Sequence, residues 1–246
     1  MNGSSKELVT ITSPVPAKCA DLLAQQAVDV ALVPVIEYQR IDGISLVPNV
    51  CVGSKEQVRS VVLVTRGDDL KTVKSVALDE SSRTSATLVR IIFQEFIGTR
   101  PDWQTAVPNL KRMLSDNDAA LIIGDPGMTF SRDGYEVWDL ASLWRQYTNL
   151  GFVFAMWMIR DNAPSTARRL DFEKARDEGL DALDDIVDHY EGLLSLSRDS
   201  LIEYLTENIS FTPDESMNAG LKLYFELANK HGLIERVKPL AYGIGA

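Results

Sequence analysis

The sequence predicts a mixed α/β protein of two lobes with a ligand cleft between them. Three observations predict it. Strand-like apolar runs alternate with segments of helical periodicity as far as Ile159, the pattern of α/β architecture and of a mostly parallel sheet. Two strong strands, residues 60–65 and 152–159, bracket a compact middle unit, as expected where a chain crosses into a second lobe and returns. Beyond Ile159 the chain becomes rich in charge, with apolar residues at helical spacing. These signs divide the chain into lobe 1 (residues 1–75 plus 153–246) and lobe 2 (residues 76–152). Ligands of such folds bind where the strands end.

The elements follow in order. Residues 8–13 read as a short strand and 16–26 as a helix with Ala17, Ala20, Leu22 and Leu23 on its apolar side. Residues 28–34 form a nearly continuous apolar run, typical of a strand buried on both faces. Residues 44–47 and 51–53 read as short strands, and 60–65 and 73–78 as stronger ones. A helix is expected over 84–96 and another over 108–115. Residues 119–123 form a buried strand ending at Gly124-Asp125. One or two amphipathic helices are expected within 163–191, then helices at 199–208 and 213–231. Asp214 or Ser216 can cap the last, and Gly232 is a suitable stop.

Composition excludes several classes of function. A chain of 246 residues with 45% apolar content can bury a substantial core. Its net charge of -10 lacks the basic footprint of a nucleic-acid or acidic-membrane binder. Two cysteines, Cys19 and Cys51, are no disulfide framework and fit a reducing compartment. The first residues carry no apolar run of signal-peptide type, and the longest apolar run, residues 150–159, is about half of what a bilayer span needs. A cytoplasmic protein is expected. His189 and His231 have no Cys or His at ligand spacing and read as helix-surface residues, so no metal site is expected. Nucleotide-binding glycine motifs and a nucleophile elbow are missing as well.

Three features carry chemistry. In Asp79-Glu80-Ser81-Ser82-Arg83-Thr84-Ser85, four hydroxyls and an arginine surround the start of a helix, where N–H groups and the helix dipole favour anions. Alone, this reads as a turn with a surplus of small polar residues. In Ile122-Ile123-Gly124-Asp125-Pro126-Gly127 an apolar strand delivers Asp125 at its end, among glycines that permit close backbone approach. Alone, it is an ordinary turn. Ser60 opens a valine-rich strand. Three strand ends that converge on one cleft would make a site for a small anion.

With these residues the chain resembles the chorismate dehydratase family of the futalosine route to menaquinone. The matching stretches, in order, are Asp29-Val30-Ala31-Leu32-Val33-Pro34-Val35-Ile36-Glu37-Tyr38, Val58-Arg59-Ser60-Val61, Ser82-Arg83-Thr84-Ser85 and Ala119-Ala120-Leu121-Ile122-Ile123-Gly124-Asp125. Trp144, Thr148 and Phe152-Val153-Phe154-Ala155-Met156-Trp157 complete the set. The resemblance implies a two-lobed fold like that of periplasmic binding proteins, used in the cytoplasm as an enzyme. It implies chorismate as substrate, 3-[(1-carboxyvinyl)oxy]benzoate as product and no cofactor, in a carbon–oxygen lyase reaction. Ser60, Ser82, Arg83, Thr84, Ser85 and Gly124 are then expected to bind substrate, Asp125 and Ser60 to take part in catalysis, and Arg83 either to pair with a carboxylate or to pin the turn. Family members open with a further strand carrying Asn-x-x-Pro, which lobe 1 is expected to lack. Leu150-Gly151-Phe152 stands in place of Leu-Pro-Phe, and Pro126-Gly127 in place of Ala-Ala. The rival expectations are a non-catalytic small-carboxylate binding protein of the same fold, and the sister enzyme acting on cyclic dehypoxanthine futalosine. The latter relies on a histidine in lobe 2, and residues 76–152 contain none.

Overall fold

A computed structural model describes residues 15–243; the strand expected at residues 8–13 lies outside them. Helix α1 (Pro16–Ala24) starts on a proline, whose fixed φ suits a first helical position. Strand β1 (Val30–Pro34) runs into a 3₁₀ turn (Val35–Gln39) and then β2 (Ile44–Ser54). The two short strands expected in that region are one strand, bulged between Leu46 and Cys51 with Asn49 in a left-handed conformation. Next come β3 (Val61–Thr65), β4 (Ser75–Asp79) and α2 (Thr84–Ile91), which continues as a π-helical turn (Ile92–Ile97). They are followed by β5 (Asp102–Ala106), α3 (Leu110–Asp116), β6 (Ala119–Ile123), α4 (Asp125–Thr129), β7 (Glu136–Asp139), α5 (Leu140–Thr148) and β8 (Phe152–Arg160). The C-terminal part holds α6 (Ser165–Arg168), α7 (Phe172–Asp181), α8 (Leu183–Leu194) and α9 (Arg198–Glu203) with a π-helical turn (Tyr204–Asn208). It ends with α10 (Glu215–Lys230), capped by Asp214, whose carboxylate accepts from the Met217 N–H at 2.8 Å.

The described strands form two sheets, ordered β1-β8-β2 and β5-β4-β6-β3-β7. This corrects two expectations. The first sheet is antiparallel throughout, and in the second only β4 runs parallel to its neighbours β5 and β6. A continuous apolar run reports burial on both faces and is silent about strand direction. Residues 60–65, assigned to lobe 1 from sequence, lie in the second sheet: β3 pairs with β6 and β7. The chain passes from the first sheet to the second between β2, which ends at Ser54, and β3, and β8 pairs with β1 and β2 from Phe152 onward.

Alternation along β3 explains its composition. Val61 and Leu63 enter the main core, which extends to β8 and α10, while Val62 and Val64 face a second core closed by Met113 and Leu114 of α3. Val76 and Leu78 of β4, and Ala119 and Leu121 of β6, face the same way as Val61, with Ala77, Ala120 and Ile122 opposite. A third cluster, containing Val47, Val50, Ile159 and Phe172, packs the outer face of the first sheet.

Register then fixes the site. Val61 opposes Ile123, so the start of β3 lies beside the end of β6. Because β4 runs parallel to β6, its own end reaches the same edge. Ser60, Gly124 and the turn after Asp79 thus share one edge of the second sheet. Among the described residues, no helix is long and apolar enough to cross a membrane.

Candidate active site

Ser60 sits after a strained turn. Its N–H donates to the Val58 carbonyl at 2.7 Å across Arg59, whose φ is 62°. A γ-turn around a left-handed, non-glycine residue is costly, and the surroundings hold it. The half-buried carboxylate of Asp139 accepts from the N–H groups of Arg59 at 2.7 Å and Val58 at 3.1 Å, and caps α5 by accepting from Ser142 N–H at 3.0 Å. Burial pushes the Asp139 carboxyl above its ordinary range, against these donors. The Arg59 guanidinium reaches the C-terminal part of the chain, donating to Ser200 Oγ at 2.9 Å and pairing with Glu203 at 3.2 Å. Ser60 is buried, and its Oγ accepts from the Tyr204 hydroxyl at 2.9 Å.

Gly124 joins Ser60 through its N–H, which donates to the Ser60 carbonyl at 2.7 Å. Its φ of 67° and ψ of -147° lie in a region that only glycine adopts readily. Gly127 packs so closely that a Cβ would stand 2.9 Å from the Ser60 carbonyl oxygen, whereas Gly124 is required for its φ and not for space. Asp125 is exposed at the first position of α4. With Tyr204 it lines a cavity of about 260 Å³, whose other walls include Leu201 and, from α8, Ile186, Val187 and Tyr190.

The third feature ends β4. Buried Asp79 accepts both the N–H (2.9 Å) and the hydroxyl (2.6 Å) of Ser81, forming an Asx turn. The helix that follows has Arg83 at its cap position and no side-chain cap. Ser82, Thr84 and Ser85 are buried. Thr84 Oγ1 accepts from the Ile36 N–H at 3.3 Å, linking the turn to the 3₁₀ turn after β1, and the Tyr224 hydroxyl of α10 donates to the Thr84 carbonyl at 3.0 Å. Ser82 Oγ is buried without a hydrogen-bond partner.

Arg83 is paired within the protein. Its guanidinium donates to Glu37 Oε2 at 3.1 Å and Asp21 Oδ1 at 2.7 Å. Burial works against its charge, but these two carboxylates more than offset that and raise its pKa. Arg83 thus ties the turn to α1 and the 3₁₀ turn, one of the two roles expected of it.

The edge therefore unites Ser60, Gly124 and Asp125 directly and sets Ser82, Thr84 and Ser85 across β6 from Ser60. The lining of the cavity at Asp125 does not extend to Ser82–Ser85. Sequence reasoning missed Tyr204, which is 144 positions from its partner in a charged helical region. It also missed Asp139, although an Asp ahead of a helix is a cap signal. His231 corrects another expectation: its side chain is 9% exposed and its ring pairs with Glu95 at 2.7 Å. His189 is exposed, as expected. Among the described residues, no three His, Cys, Asp or Glu side chains gather as a metal site.

A family model described as menaquinone biosynthesis matches residues 4–230. The chain belongs to this family. Within it, the chain is 31% identical to the chorismate dehydratase of Thermus thermophilus, over 86% of this chain and 84% of that one. Solved structures share the fold at lower identity. Protein AF1704 of Archaeoglobus fulgidus matches at 17% identity with a TM-score of 0.62, covering 91% of this chain and 86% of that one. A Candida albicans protein described as having the generic periplasmic binding protein fold matches at 15% and 0.59, over 93% and 81%. The periplasmic aliphatic sulphonate binding protein SsuA of Escherichia coli matches at 16% and 0.55, over 95% and 83%. This menaquinone-biosynthesis family member thus has a periplasmic-binding-protein-like fold.

Proposed function

We propose that this protein is a carbon–oxygen lyase that removes water from chorismate to give 3-[(1-carboxyvinyl)oxy]benzoate. The observation that carries the reading is its 31% identity to a chorismate dehydratase over most of both chains. The lobe built on β1, β8 and β2 and the lobe built on the five-stranded sheet close over the substrate, excluding water. The reaction belongs to the cytoplasm, with which a content of two cysteines in 246 residues agrees.

Chorismate carries two carboxylates and an allylic hydroxyl at C4. When the C3–H bond breaks, its electron pair moves through C1=C2 onto the ring carboxylate. Expulsion of the C4 hydroxyl then makes the ring aromatic. The proton taken from C3 leaves with that hydroxyl as water, so the atoms balance without a co-reactant or cofactor. Ser82, Thr84 and Ser85 hold the ring carboxylate as charge gathers on it. Preorganised donors of this kind are worth about 3 kcal/mol each. The unpartnered Ser82 hydroxyl supports this role, because a buried polar group without a partner costs about 1–3 kcal/mol until something satisfies it. Ser60 binds from the β3 side, Gly124 keeps the backbone open beside it, and Asp125 orients the C4 hydroxyl. Arg83 acts on the turn, since Asp21 and Glu37 occupy it. A carboxylate of the substrate takes the C3 proton, as Asp79, the carboxylate at the start of the turn, is buried and occupied by the N–H and hydroxyl of Ser81.

Incubation of the purified protein with chorismate tests this. Aromatic absorbance should rise and the product mass should be that of chorismate less one water. Tight binding without conversion by the folded full-length chain would overturn the enzyme reading in favour of a small-carboxylate binding protein.

A further inference from the structure

We propose that Tyr204 is a positioning residue for Ser60, fixing the serine hydroxyl so that its own proton is presented to the ligand; this rests on the function proposed above. The geometry begins with one hydrogen bond. Tyr204 O–H donates to Ser60 Oγ at 2.9 Å. A serine oxygen that accepts from a phenol keeps its single O–H for another acceptor, and a substrate carboxylate is such an acceptor.

The phenol is suited to hold this direction of donation. A phenol is more acidic than an aliphatic hydroxyl and so the better donor of the two, and burial, the largest influence on it, holds its pKa above the ordinary value. It therefore stays protonated across neutral pH. Tyr204 and Asp125 also line the same cavity of about 260 Å³ at the end of β6, so the tyrosine that bonds Ser60 faces the space that Asp125 borders.

The backbone on either side of the pair is unusual. Tyr204 begins a π-helical turn, a form that is rare and concentrates at functional sites. Ser60 follows the γ-turn at Arg59. The Arg59 side chain ties these two irregular segments together by reaching Ser200 and Glu203, directly ahead of Tyr204. A strained residue whose side chain anchors the partner segment sets the distance between Tyr204 and Ser60 from two directions.

A double-mutant cycle tests the inference. The wild type, Tyr204→Phe, Ser60→Ala and the double variant are compared in chorismate conversion, with melting temperatures measured in parallel. Tyr204→Phe is expected to lower kcat/KM about tenfold, with the same division between kcat and KM as Ser60→Ala. In the Ser60→Ala background it should change kcat/KM by less than about twofold. Should Tyr204→Phe fold poorly, Tyr204→Met, which keeps the apolar volume, carries the same expectation. Equal losses in both backgrounds, or no loss in the wild type, would overturn the positioning role while leaving the enzyme reading intact. A wild type that converts no chorismate would overturn both.

Discussion

Ser60 and Ser82 stand at the same edge of one sheet, on either side of β6, and are held in opposite ways. Ser60 is wired into the protein: its hydroxyl has Tyr204, its turn has Asp139, and the neighbouring Arg59 reaches α9. Ser82 has no partner for its hydroxyl, while the residue beside it is locked by Asp21 and Glu37. The difference teaches how two turns at one end of a sheet can be fixed at two costs. On the β3 side, the protein uses its own hydrogen bonds to impose backbone strain. On the β4 side, it leaves a donor unsatisfied and anchors the turn around it.

Substitutions can break this contrast. The largest effect is expected at Asp139. Asp139→Ala takes the acceptor from the N–H groups of Val58, Arg59 and Ser142, and should cost about 3 kcal/mol or more of stability in urea denaturation, with loss of activity as the γ-turn relaxes. Ser82→Ala should separate the two properties: stability unchanged or raised by less than about 1 kcal/mol, but affinity for chorismate by calorimetry reduced about tenfold. Equal damage to stability would refute the idea of an unsatisfied donor. The smallest effect is expected at Glu95, which supports the far end of the α2 segment. Its pairing with Lys230, opposed by desolvation and helped by His231, holds its carboxyl below the ordinary 4.5. The stabilisation from a lowered carboxyl is fully present above that ordinary value and is lost as pH falls through the lowered one. Glu95→Gln should cost under about 1 kcal/mol at pH 7 and flatten the acid limb of the stability curve.

Much of this was legible in the chain. Residues 119–123 match β6 residue for residue, because an unbroken apolar run fills two cores from alternate positions and Gly124 ends it. The cap at Asp214 and the turn at Gly232 were legible from local chemistry. Strands β5 and β7 were not: both are edge strands with exposed residues, so no apolar run marks them. The wiring of the candidate site was not legible. Ser60, Gly124 and Ser82 announce themselves through local pattern. Arg83 meets Glu37 from 46 positions away and Asp21 from 62, and no periodicity encodes such pairings.

The role of β8 has a consequence for the order in which the molecule can assemble. Among the described strands, β1 and β2 each pair with β8 and not with one another. The first sheet thus cannot exist until Phe152–Arg160 has been made, although two of its strands lie near the start of the chain. All five strands of the second sheet are complete at Asp139. On a ribosome, the part of the molecule encoded in the middle can close while the part encoded first is still waiting for its central strand.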